Sequence, residues 1–111
     1  MQSRTGETRG RCFYCDTKLV EWKSRKQGPP CPPNAWTRDH VFPRESKKHQ
    51  MSALNTVDAC SQCNSMKGHL DPLDWLVIMP DRAGAHRLKA RLYEMGMSIV
   101  TLDEHMARRR K

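Results

Sequence analysis

The sequence predicts a small α+β domain, and three observations predict it. Four cysteines fall in two Cys-x-x-Cys pairs, Cys12–Cys15 and Cys60–Cys63. Between the pairs lie two short runs, Trp36–Phe42 and Leu54–Ala59, whose Val, Phe, Trp and Thr residues suit strands. After the second pair come helix-like stretches with start and stop signals. A chain of 111 residues holds one domain of this kind. Its hydrophobic fraction of 37% makes a thin core, and small domains so composed often need a staple.

Residues 1–10 are polar and read as a flexible N-terminus. Arg11–Leu19 carries the first cysteine pair and an Asp16-Thr17 turn, which reads as a hairpin or turn presenting two thiolates. Residues 21–35 hold Pro29, Pro30, Pro32 and Pro33, which exclude a helix or a central strand and imply a long loop. Cys31, between those prolines, reads as a spare thiol.

Trp36–Phe42 reads as a strand that Pro43 ends or bends, residues 44–53 as a basic connector, and Leu54–Ala59 as a second strand. Ser61 is the expected cap of a helix that starts near Gln62, holds Cys63, Asn64 and Lys67, and stops at Gly68. Asp71-Pro72 opens a second helix, with Asp as cap and Pro in the first turn. Ala83–Glu94 gives a third, with Leu88 and Leu92 one turn apart and Gly96 beyond. Met97–Leu102 reads as a strand, and residues 103–111 as a helical basic tail. The expected organisation is a single domain over 11–102, with a motif core at 11–70 and a helical extension at 71–102.

The two cysteine pairs point to zinc. Each Cys-x-x-Cys lets one turn supply two sulfurs, and two pairs complete a tetrahedral shell with no open position. Such a site is structural. The odd count of five cysteines argues for metal rather than disulfides. Zinc on Cys12, Cys15, Cys60 and Cys63 closes the 44 intervening residues into one loop.

A net charge of +8 favours polyanionic partners, nucleic acid first. The stretch MQSRTGETRGR has no apolar run, so it does not read as a signal peptide. The apolar run Trp75–Met79 is too short to span a bilayer. The expectation is an intracellular protein without a membrane segment.

Inside the zinc-closed loop stands Asp39-His40-Val41-Phe42-Pro43, then Asn55, then Cys60-Ser61-Gln62-Cys63-Asn64-Ser65-Met66-Lys67-Gly68. This pattern resembles the HNH endonuclease family, whose members carry a D-H-x-x-P strand, a central Asn and a C-x-x-C-[HN]-x-x-K helix. The resemblance covers about Arg11–Gly68 and implies a ββα-metal, treble-clef-like core stapled by the four-cysteine zinc, with additional C-terminal helices. It also implies hydrolysis of DNA phosphodiester bonds. His40 would be the general base that activates water, since an imidazole titrating at about 6.5 accepts a proton at neutral pH. Asp39 and Asn64 would hold a divalent cation. Asn55 would hydrogen-bond to backbone near His40 and orient the loop.

Adjacent strand residues face opposite ways. In the family a distortion or the strand end lets the aspartate meet the metal while the histidine faces the phosphate. The third signature position is Asn64 rather than His, and a neutral oxygen ligand favours magnesium or manganese over softer metals. Small stand-alone members resemble phage or mobile-element proteins, which implies a bacterial cytoplasm or phage-infected host and a packaging or recombination protein as partner.

Arg44, Lys47, Lys48 and Lys67 are candidate phosphate contacts, with Lys23, Arg25, Lys26 and Arg108–Lys111 as further positive groups. Lys67 is equally readable as a solvent-exposed lysine. His49 and His69 read as surface residues, His69 held in reserve because it lies just past the helix bearing Asn64. Two other functions share these residues. One is a non-catalytic zinc-binding, nucleic-acid-binding module, and the other a ribonuclease or toxin of the same fold.

Overall fold

Backbone pairing begins earlier than the polar N-terminus suggests. The computed structural model describes residues 8–22, 31–47, 49 and 52–109. Thr8–Arg11 (β1) and Lys18–Val20 (β2) form an antiparallel hairpin. Residues 8–10 therefore belong to a strand rather than to a loose N-terminus, because main-chain pairing with β2 recruits them. Cys12 and Cys15 lie in the turn. That turn closes through Cys12 N–H donating to Thr17 O at 2.9 Å and Asp16 N–H donating to Cys12 O at 2.9 Å.

Trp36–His40 (β3) pairs antiparallel with Thr56–Cys60 (β4), Trp36 opposite Cys60 and His40 opposite Thr56. A parallel bridge between Val20 and Ala35, and a bond from Phe13 N–H to Asp58 O at 2.8 Å, tie the hairpin to this pair. Both strands are shorter than expected. β3 stops at His40 because the next two residues turn onto Asn55. β4 starts at Thr56 because Ala53–Asn55 form a short 3-10 turn, capped by the Ser52 side chain.

β4 runs directly into Ser61–Lys67 (α1). The cap of α1 is Cys60, whose Sγ accepts from Cys63 N–H at 3.3 Å. Ser61, the expected cap, instead donates its hydroxyl to Pro32 O at 2.7 Å and so anchors the end of the proline loop. Gly68 ends the helix at φ 53°, a conformation that favours glycine.

Pro72–Ile78 (α2) and Arg82–Glu94 (α3) start at Asp71 and Asp81, whose carboxylates accept from Leu73 N–H at 2.9 Å and Gly84 N–H at 2.8 Å. Ile99–Arg108 (α4) replaces the strand expected at 97–102. Ile99 and Val100 are β-branched, which suggested a strand, yet both are exposed. The helix is decided by Leu102, fully buried, and by Met106 one turn later, packed against the core.

Arg109 follows α4 and donates to Leu76 O at 2.6 Å and Met79 O at 2.9 Å. It caps the carboxyl end of α2, a favourable place for a cation. Arg109, read in the sequence as a tail contact to phosphate, is thereby engaged within the fold.

The result is an α+β chain whose described residues form two two-stranded sheets and four α-helices. Tyr14, Leu19, Val41, Phe42, Trp75, Leu76, Leu88, Leu92 and Leu102 make one core. Each fully buried leucine there contributes about 2 kcal/mol. α3 rests directly on the hairpin turn. A Cβ at Gly84 would lie 1.7 Å from Tyr14 O. Arg87 Nε donates to Phe13 O at 2.8 Å, and the Arg91 guanidinium stacks 4.9 Å from the Phe13 ring centroid. Among the described residues, no helix is long and apolar enough to cross a membrane.

Candidate functional site

The hairpin turn and the start of α1 bring four thiols together. The Sγ atoms of Cys12, Cys15, Cys60 and Cys63 all lie within 4.8 Å of one another. Zinc–sulfur bonds of about 2.3 Å give tetrahedral edges of about 3.8 Å, and Cys15 Sγ and Cys60 Sγ are 3.7 Å apart. The cluster therefore fits a structural metal such as zinc. Backbone N–H groups already face two of the sulfurs: Tyr14 N–H donates to Cys12 Sγ and Cys63 N–H to Cys60 Sγ, each at 3.3 Å. Such bonds stabilise thiolates and orient ligands. The hydrogen bond from Cys63 holds the Cys12 thiol down at about 5, and the same bond pushes the Cys63 thiol up. Burial pushes Cys15 up to about 11.

A cleft of about 300 Å³ opens where the end of β3 meets α1. Asp39, His40 and Asn64 line it, with Arg38, Arg44, Lys67 and His69. Asp39 and His40 share the cleft although they are neighbours on a strand. His40 is the last residue of β3, and the chain bends immediately after it.

Asn55 makes that bend. Its backbone O accepts from Val41 N–H at 2.7 Å, its Oδ1 accepts from Phe42 N–H at 2.7 Å, and its Nδ2 donates to Phe42 O at 3.2 Å. Asn55 is buried, so these bonds satisfy groups that water does not reach. It supports the chain leaving His40 and does not line the cleft.

Asp39 is 7% exposed and doubly anchored. Tyr14 Oη donates to Asp39 Oδ2 at 2.5 Å, and Lys67 Nζ lies 3.3 Å from the same oxygen. Burial, then the Asp39 charge, push the Tyr14 hydroxyl well above the usual phenol range, so it stays protonated and donates. Lys67 also donates to His40 O at 2.9 Å.

Lys67 is 1% exposed, which corrects the reading of it as a solvent-exposed lysine. A buried ammonium needs a partner, and Asp39 supplies it across β3. The second candidate ligand is also held. Asn64 Nδ2 donates to Thr37 Oγ1 at 3.1 Å, while the Thr37 hydroxyl donates to Ala59 O at 2.7 Å.

The remaining candidates scatter. Arg44 is exposed and lines the cleft, whereas Lys47 is exposed and does not. Lys48, Lys23, Arg25, Lys26, Arg110 and Lys111 lie outside the described residues, as do residues 1–7. His69 joins the cleft at its rim. Cys31 is exposed and apart from the thiol cluster.

Comparison with protein-family models, curated proteins and solved structures finds no match for this chain.

Tyr14, Thr37 and Arg38 were not singled out in the sequence. Tyr14 lies between two cysteines of the thiol cluster, and its hydroxyl partner is 25 residues away. Only its position inside the Cys-x-x-Cys knuckle, beside the predicted metal, could have drawn attention to it.

Proposed function

We propose that the chain is a metal-dependent endonuclease of the HNH type, hydrolysing phosphodiester bonds of DNA. The observation that carries this reading is the single cleft shared by Asp39, His40 and Asn64, at the junction of an antiparallel strand pair and the helix that follows it. The donor set suits a hard cation. Both described partners of Asp39 use Oδ2, and the Asn64 amide nitrogen is occupied by Thr37, so one oxygen of each side chain is left without those partners. A magnesium or manganese ion on those oxygens would neutralise charge on the scissile phosphate and the departing 3′-oxygen.

The chain's own residues supply the rest. His40 takes the proton of the attacking water as its oxygen bonds to phosphorus. The 3′-oxygen leaves with the electrons of the broken P–O bond and is protonated from solvent. Arg38 and Arg44, on the cleft wall, attract the phosphate and hold it for in-line attack. The zinc cluster takes no part in the chemistry. It fixes the start of α1, and with it Asn64, against β3.

The test is a plasmid assay with zinc-loaded protein. Conversion of supercoiled to nicked or linear DNA with magnesium or manganese, and its loss in EDTA, is the expected result. Binding of DNA without cutting under any of these metals would favour a zinc-stapled nucleic-acid-binding module instead.

A further inference from the structure

We infer that the cation site is preset by residues that never touch the cation: Tyr14 and Lys67 fix the orientation of the Asp39 carboxylate, and Thr37 selects the amide orientation of Asn64. The inference rests on the nuclease reading for the identity of the two ligands, and adds the positioning residues behind them.

Two groups converge on one carboxylate oxygen. Tyr14 Oη and Lys67 Nζ both meet Oδ2 of Asp39, and both lie in the interior. With two partners on one oxygen, any rotation of the carboxylate other than the half-turn that exchanges its equivalent oxygens would strand a buried hydroxyl and a buried ammonium, each costly to leave unmatched. The carboxylate is thereby held in one orientation, with the oxygen that lacks those two partners available to a cation.

Asn64 is fixed by a different logic. A threonine hydroxyl has one proton. Thr37 spends it on Ala59 O at 2.7 Å, so toward Asn64 its Oγ1 can only accept. The amide must present Nδ2 to Thr37, and its oxygen is turned away from that contact. The opposite flip would set two acceptors against each other.

Tyr14 is itself clamped. Its neighbours Cys12 and Cys15 belong to the thiol cluster, its ring meets Trp75 edge-on at 5.5 Å, and its carbonyl abuts Gly84. The phenol thus links the metal staple and the C-terminal helices to the candidate catalytic carboxylate. Preorganised ligands lose little freedom on binding, and weaker outer hydrogen bonding lowers metal affinity about ten- to a hundred-fold.

The experiment titrates manganese into zinc-loaded wild type, Tyr14→Phe and Thr37→Val, reading free manganese by electron paramagnetic resonance. Plasmid cleavage is measured alongside. Each variant is expected to keep its zinc and a cooperative melting transition, to bind manganese about ten-fold more weakly, and to recover cleavage at raised manganese. Thr37→Val is nearly isosteric and half-buried, so it reads the inference even where Tyr14→Phe fails to fold. A zinc-loaded variant that binds manganese as tightly as wild type, while wild type cuts DNA, overturns the presetting inference and leaves the nuclease reading intact. Wild type that neither binds manganese nor cuts overturns both.

Discussion

Replacing Gly84 with alanine sets two effects against each other, and the structure decides the sign. Gly84 lies in the first turn of α3, where helix propensity alone predicts that alanine stabilises by about 1 kcal/mol. The added Cβ, however, would stand 1.7 Å from Tyr14 O and 2.7 Å from Tyr14 C. Both are backbone atoms of the hairpin turn, held by the thiol cluster on one side and by Arg87 on Phe13 O on the other. Neither can move aside as a flexible side chain would, so α3 must lift off the turn. Overpacking of this kind costs about 1–3 kcal/mol, and contact with rigid backbone belongs at the upper end. Lifting α3 also weakens the Arg87 bond and the Arg91 stacking on Phe13.

The net expectation for Gly84→Ala is a loss of about 2 kcal/mol or more, lowering the melting temperature by on the order of 10 °C. Urea denaturation and calorimetry of the zinc-loaded protein measure both. A variant as stable as wild type, or more so, would refute the close approach of α3 to the knuckle, and with it the account of how the C-terminal helices support Tyr14.

Three further outcomes are expected. Zinc must displace protons from Cys15, pushed up to about 11, and from Cys63, raised further by its bond to Cys12. Zinc affinity therefore falls as pH falls, by at least about a hundred-fold per unit between roughly pH 6 and 8 from these two protons alone; chelator competition across that range checks it, and a flat profile would contradict the four-thiol shell. Arg109→Ala removes the cap from α2 and should cost about 1–2 kcal/mol in denaturation, with little change in the salt dependence of DNA binding. A reduced salt slope at unchanged stability would instead mark Arg109 as a phosphate contact. Lys67→Met leaves the buried Asp39 without its cation and should cost about 3 kcal/mol or more, whereas an exposed lysine would lose almost nothing on denaturation.

The sequence carries legible signals where the chemistry is local. The spacing of Cys12, Cys15, Cys60 and Cys63 is a property of two short turns, and those thiols do cluster. Asp71-Pro72, Gly68 and Gly96 mark helix ends because capping involves residues only a few positions apart. Long-range decisions were hidden. α4 has a β-branched start, and only the burial of Leu102 against helices formed elsewhere makes it helical. Cys60 displaces Ser61 as the cap of α1 because a sulfur of the thiol cluster already sits where a capping oxygen would, and Ser61 is drawn to Pro32 O.

The candidate site divides in the same way. Asp39, His40 and Asn64 could be named from motif order. Their supports could not, because Lys67 meets Asp39 from 28 positions away and Tyr14 from 25. An isolated Lys near a helix end carries no sign that it will be buried. That sign is the carboxylate waiting across β3, visible only after folding.

The central claim is that His40 activates water in a cleft whose scaffold is independent of it. The most direct measurement compares plasmid cleavage by zinc-loaded wild type and His40→Ala at saturating magnesium or manganese, with zinc content and DNA affinity measured on the same samples. Loss of cleavage by at least about a hundred-fold is expected, with zinc retained and DNA affinity within about two-fold. Cleavage by His40→Ala at the wild-type rate would contradict the claim.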